Sequence, residues 1–308
     1  MRRMRRLALF LLLSASAAAF AQSPPDPTAF RNGVAYTFER KFATRTVHDA
    51  SDNGRIKLAT YIYRPINSPR NEVVLFTHGS LGGMTIDPHE LTVWMPPALL
   101  QYFVRKGYTV VYSTRRGLGE STGTFVEECP FAAGKCTIDQ YRALAEPGLA
   151  QAEADTNAVI DQIILGHEVP KGSKLLFAGI SRGGLLALRM ASKRPQNAGG
   201  VVNFVGGWLS VTDTWDAQEN AARAELQLRL FKEIGINLKD IPTLWIYASR
   251  DPFYSEATTR SFFAAFQSAG GAGEYFFVPE HNLRIGHIVA TEPALWSTKL
   301  DSYITSLK

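Results

Sequence analysis

Apolar residues recur along this chain in two periods, and the alternation between them sets the expected architecture. VAYTFERKFATRTV (34–47) and RIKLATYIYRP (55–65) are rich in β-branched and aromatic residues. The turn-forming SDNG separates them, so an antiparallel pair is expected. EVVLFTHGS (72–80) follows as a continuous apolar run ending in a glycine-containing loop, the pattern of a buried strand. ALLQYFVRKG (98–107) is apolar at helical spacing and stopped by glycine, and YTVVYST (108–114) is another strand.

The same alternation resumes further on. Helices are expected at about 150–165, 182–194, 217–235, 255–270 and 292–307, with strands KLLFAG (174–179), GVVNFVGGW (200–208), TLWIYAS (243–249) and EYFFVPE (274–280) between them. Strands alternating with helices over this length imply an α/β fold, a mostly parallel sheet with helices on both faces and an antiparallel N-terminal edge. No composition shift marks a linker, so residues 34–308 are expected to form one domain.

The chain begins differently. MRRMRR is a basic stretch, LALFLLLSASAAAF is apolar but short for a membrane span, and AFA before Gln22 fits a small-x-small cleavage site. Residues 1–21 are therefore expected to be a secretory signal on the general export route, with residues 22–33 a loose lead. An uncleaved anchor and the twin-arginine route are the alternatives. Loss of this segment removes four arginines and no acid, so the formal net charge falls from +5 to +1. No long Lys/Arg run remains, which argues against nucleic acid or an anionic membrane surface as partner.

Export places the protein in the periplasm or outside the cell and makes its two cysteines readable. Cys129 and Cys136, in EECPFAAGKC, close a short loop and are expected to form a disulfide. Two cysteines without a close histidine supply too few ligands for a metal.

In a parallel sheet of this kind the chemistry belongs in loops at the carboxyl ends of strands. GISRGG (179–184) stands between a strand and a helix and carries the G-x-S-x-G spacing of a nucleophile elbow. Ser181 is the candidate nucleophile; the bland alternative is a serine that caps the helix. A serine hydroxyl needs a base held by a carboxylate, and in this architecture the acid precedes the base. Asp251, just beyond TLWIYAS, is the expected acid, although Asp-Pro also makes an ordinary turn. His287, before the last helix, is the expected base, and His281 a loop residue without catalytic duty. His48, His89 and His167 have no reactive neighbour in sequence. In LFTHGSLGG the amide of Ser80, or alternatively Leu81, would pair with that of Arg182 as an oxyanion hole. His78 is expected to brace that loop.

Together THGSLGG, STRRGLGESTG, GISRGG, ASRDP and RIGH, in that order, make nearly the whole mature sequence resemble the α/β-hydrolase superfamily. The SRGG elbow resembles most the dienelactone-hydrolase-like and serine-aminopeptidase-like branches. The lid is expected to be small or absent, and the resemblance implies an eight-stranded sheet, a triad carried by Ser181, Asp251 and His287, and hydrolysis without a cofactor. The arginine pair in STRRGLGE departs from the pattern, because many relatives have an aspartate before a single arginine.

Substrate is the least specified property. Residues 211–239 are a candidate small lid and 122–137 a second wall, with Trp208, Trp215, Phe125 and Phe131 as candidate pocket aromatics. Small to medium carboxylic esters are the first expectation. A serine peptidase acting on short peptides is the alternative, with Glu127, Glu128 or Asp216 as an anchor for an amino terminus, although each isolated carboxylate is more simply a solvated surface group. A non-catalytic binding protein and a lipid-surface enzyme fit less well, the latter for want of an exposed apolar lid.

Overall fold

Val73–Thr77 (β3), Leu175–Ile180 (β5) and Thr243–Ala248 (β7) are buried at every position. Strands of that kind need cover on both faces of a sheet. The computed structural model describes residues 36–49, 52–67, 69–80, 95–125, 127, 138–168, 172–211 and 217–307. The remaining strands are Tyr36–His48 (β1), Asn53–Pro65 (β2), Thr109–Ser113 (β4), Ala198–Phe204 (β6) and Glu274–Val278 (β8). They join one eight-stranded sheet in the order β1-β2-β4-β3-β5-β6-β7-β8. β1 pairs with β2, and β2 with β4, antiparallel; every other pair is parallel.

Helices Pro97–Arg105 (α1) and Ser297–Ser306 (α6) form one layer, joined where the Tyr102 hydroxyl donates to Asp301. The Tyr102 and Trp296 rings meet edge to face beside it, 5.1 Å apart. The other layer holds Ile138–Val159 (α2), Arg182–Lys193 (α3), Ala217–Asn237 (α4) and Glu256–Ser268 (α5), each packed on the next. Among the described residues no helix is long and apolar enough to cross a membrane.

Two expectations need correcting. α2 begins at residue 138 rather than near 150, runs through Pro147, and continues as a π-helical segment over Ile160–Glu168. An interior proline removes one helical hydrogen bond and crowds the carbonyl one turn back, so the helix needs support there. The turn it interrupts is fastened by the Trp208 indole, whose N–H donates to the Ala145 carbonyl at 2.7 Å. The candidate lid is also different in kind. α4 is a regular layer helix whose buried Leu230, Phe231 and Ile234 face the core, with Phe231 against Trp245 and Phe262, each at 5.0 Å between centroids. Its Gln227 side chain accepts from the Trp208 amide at 2.7 Å and donates to the Leu209 carbonyl at 2.6 Å, locking α4 to the chain leaving β6.

Candidate active site

Ser181 sits between β5 and α3 with φ 56° and ψ −128°, a conformation costly for a residue with a side chain. Packing enforces it. A Cβ on Gly179 would fall 2.1 Å from the Gly183 carbonyl oxygen, and one on Gly183 would fall 2.0 Å from that of Thr77. The elbow glycines therefore let β5, α3 and the end of β3 touch backbone to backbone. The Thr77 hydroxyl fastens the contact by donating to the Gly183 carbonyl at 2.6 Å.

Three side chains from separate loops converge there. Ser181 Oγ lies 2.9 Å from His287 Nε2, and His287 Nδ1 lies 2.8 Å from Asp251 Oδ2. The Asp251 side chain is 1% exposed and that of His287 is 13% exposed, so the carboxylate is sealed while the imidazole edge stays reachable. Asp251 Oδ1 accepts from the amides of Phe253 at 2.8 Å and Tyr254 at 3.3 Å. The carboxylate is thus fixed by backbone on one oxygen and oriented toward imidazole on the other. Phe253 covers the imidazole edge to face at 4.6 Å.

His281 holds this end together in a way its sequence did not disclose. Its Nε2 lies 2.8 Å from the Ser249 carbonyl, so that nitrogen donates, leaving Nδ1 to accept from Arg250 Nη2 at 3.0 Å. Arg250 itself has φ 57°, and its carbonyl accepts from the Gly286 amide at 3.1 Å. A Cβ on Gly286 would fall 2.1 Å from the Ser249 carbonyl oxygen, so glycine lets the turn before His287 press against the turn carrying Asp251.

The arginine pair splits between two tasks. Arg116 is buried and bridges Asp155, at 2.8 Å, to Asp49 and Asp52. Arg115 turns the other way and donates to the carbonyls of His78 at 2.6 Å and Gly79 at 3.0 Å. It takes over the bracing of the Ser80 loop. His78 assists: its Nε2 accepts from the Arg115 amide at 3.2 Å, so Nδ1 carries the proton given to the Gly79 carbonyl at 2.7 Å.

Burial, reinforced by the Arg115 charge, holds the His78 pKa well below the ordinary value. An unfolded chain would bind this proton near pH 6.5, before the folded one does. His78 therefore contributes stability that is present above about pH 6.5 and lost as pH falls toward its lowered folded pKa, at up to about 1.4 kcal/mol per pH unit. The urea midpoint is expected to fall between pH 7 and pH 5, and His78→Gln to shrink that fall; an equal fall in the variant would clear His78 of the effect.

Other candidates land elsewhere. Glu127 is not a solvated surface group: its carboxylate pairs with Arg115 Nε at 2.5 Å, and both side chains are at most 5% exposed. Topology brings the two together across loops, and a buried carboxylate needs such a partner. Trp208 is an interior residue rather than a pocket wall, 1% exposed, with the Arg182 guanidinium 5.0 Å over its ring. Phe125 is half-buried against Gly117. Arg182 opens α3, and its side chain is spent on the carbonyls of Trp208 at 2.9 Å and Glu127 at 2.7 Å. Leu81, Glu128, Cys129, Phe131, Cys136, Trp215 and Asp216 lie outside the described residues.

No protein-family model and no curated protein matches the chain. Solved structures do. An esterase from Pyrococcus furiosus is 13% identical, with a TM-score of 0.55 over 87% of this chain and 91% of its own. A Klebsiella pneumoniae protein described as a dienelactone hydrolase is 16% identical, with a TM-score of 0.52 over 86% and 98%. An acylaminoacyl peptidase from Pyrococcus horikoshii is 17% identical, with a TM-score of 0.55 over 87% of this chain and 41% of its own. At such identities the likeness establishes a fold, and the fold is that of the α/β hydrolases.

Proposed function

We propose that this chain is an exported serine hydrolase that cleaves carboxylic esters of small to medium acyl groups through an acyl-enzyme. The observation that carries the reading is the line from Ser181 Oγ through His287 to the buried Asp251 carboxylate, with hydrogen bonds of 2.9 and 2.8 Å. His287 Nε2 removes the Ser181 proton as Oγ attacks the acyl carbon, while the amides of Ser80 and Arg182 receive the negative charge developing on the carbonyl oxygen. Collapse of the tetrahedral intermediate breaks the bond to the alkoxy group, which leaves with the proton from His287. Water then attacks the acyl-enzyme by the same route and frees the acid.

Esters are favoured over peptides with a free amino terminus for a local reason. Of the candidate anchors for an ammonium group, Glu127 is the one among the described residues, and its carboxylate already pairs with Arg115 in the interior. The support for export is the basic, apolar and small-residue order of residues 1–21.

The test is to treat the protein with a fluorophosphonate, map the adduct by peptide mass spectrometry, and compare short-chain nitrophenyl esters with aminoacyl nitroanilides. An adduct on Ser181 with faster ester turnover is the expected result. An adduct elsewhere, or none, overturns the serine-hydrolase reading; nitroanilide turnover exceeding that of the esters replaces it with a peptidase.

A further inference from the structure

Between the elbow and the loop after β3 lies a set of buried polar contacts outside the Ser181–His287–Asp251 line. Arg115 donates Nη1 to the His78 carbonyl at 2.6 Å and Nη2 to the Gly79 carbonyl at 3.0 Å, and its Nε faces Glu127 Oε1 at 2.5 Å. The backbone carbonyl of the same Glu127 accepts from Arg182 Nη1 at 2.7 Å. One residue therefore joins the arginine that follows the nucleophile to the arginine that holds the Ser80 loop.

The Gly79 carbonyl is the informative atom. It belongs to the same planar peptide group as the Ser80 N–H, and in a trans peptide the two bonds point in opposite directions. Whatever fixes the direction of that carbonyl fixes the direction of the amide behind it. Two donors hold it, Arg115 Nη2 and His78 Nδ1. A guanidinium suits the task because its rigid fork serves two neighbouring carbonyls and an acid at once, which an ammonium cannot do.

A buried ion pair is weak evidence for a stability role, because well-packed apolar side chains often serve stability as well or better. Geometry is what it supplies here. We propose that Arg115, oriented by Glu127, is a positioning residue that aims the Ser80 N–H at the developing oxyanion. Neither side chain touches the substrate; both act through the Gly79–Ser80 peptide. The inference rests on the serine-hydrolase reading and names a part of that same site.

The discriminating readout is a matched pair of substrates, a nitrophenyl ester and its thiono analogue, whose sulfur is a poor hydrogen-bond acceptor. Their rate ratio reports how much the oxyanion hole contributes. Loss of one oxyanion donor costs on the order of 100-fold to 1000-fold in kcat, so misaiming one is expected to cost roughly 10-fold to 100-fold. Glu127→Gln and Arg115→Lys are expected to lower kcat on the oxo ester by that amount with KM nearly unchanged, and to shrink the oxo-to-thiono ratio by a similar factor. A general loosening of the site would lower both rates together and leave the ratio alone; that result, or wild-type kcat, overturns the proposal. Should the single variants not fold, Arg115→Met combined with Glu127→Met leaves no buried charge unpaired and carries the same readout. Labelling at Ser181 is scored separately, so a protein that labels there but keeps its ratio rejects this inference and not the enzyme.

Discussion

Ser181→Ala is expected to lower kcat on a short-chain nitrophenyl ester by about 10⁶-fold while the protein keeps its fold. The magnitude follows from what the hydroxyl does: it lies 2.9 Å from the imidazole nitrogen that would take its proton. The fold should survive because the strain at φ 56° is imposed by the approach of β5, α3 and β3. Alanine in that conformation is no worse off than serine. His287→Ala should cost about as much, and the double variant little more than either, since the two side chains act as one unit. Single-turnover assays with circular dichroism on the same samples check this. An alanine variant within tenfold of wild type would leave Ser181 as a residue of a tight turn and no more.

What the sequence disclosed and what it hid divide along a physical line. The buried strands are legible because each writes itself as an apolar run, as Val73–Thr77 and Leu175–Ile180 do, and the half-exposed first strand Tyr36–His48 is legible from its β-branched and aromatic residues. The converging loops were legible because a nucleophile elbow needs glycines at fixed offsets, and Gly179 and Gly183 stand where a Cβ would strike backbone. α2 was cut short by a proline that the helix tolerates. The α4 sequence fits both a layer helix and a lid, because an amphipathic helix has one pattern whether its apolar face meets the core or a substrate.

Pairings between loops were the least legible. Glu127 and Arg115 are 12 positions apart, in segments with no shared period, and nothing in either segment announces that they meet in the interior. Nothing in the sequence around His281 shows its partners; the turn at Arg250, with its positive φ, brings a guanidinium against it. The arginines at 115 and 116 depart from the pattern in sequence, but their opposite destinations depend on topology. Sequence order can nominate an acid and a base, whereas a brace is defined by what it touches.

Asp251→Asn should lower kcat by about 10⁴-fold without unfolding the protein, and the reason can be followed atom by atom. Asp251 Oδ1 faces two donors, the amides of Phe253 and Tyr254, so an asparagine would turn its carbonyl oxygen toward them. Its NH₂ would then face His287 Nδ1, where the carboxylate now accepts at 2.8 Å. That forces Nδ1 to accept and moves the imidazole proton to Nε2, the nitrogen that must take a proton from Ser181. The base is present, correctly placed and in the wrong tautomer. Asp251→Ala leaves the imidazole free to choose its tautomer but removes its orientation and the charge opposite the imidazolium, so it should also be slow. Comparing kcat for the two variants, with imidazole NMR to locate the His287 proton, separates the causes. A proton on Nε2 in Asp251→Asn is the expected signature. Turnover within tenfold of wild type would mean that Asp251 is a turn residue and that His287 is oriented by another group.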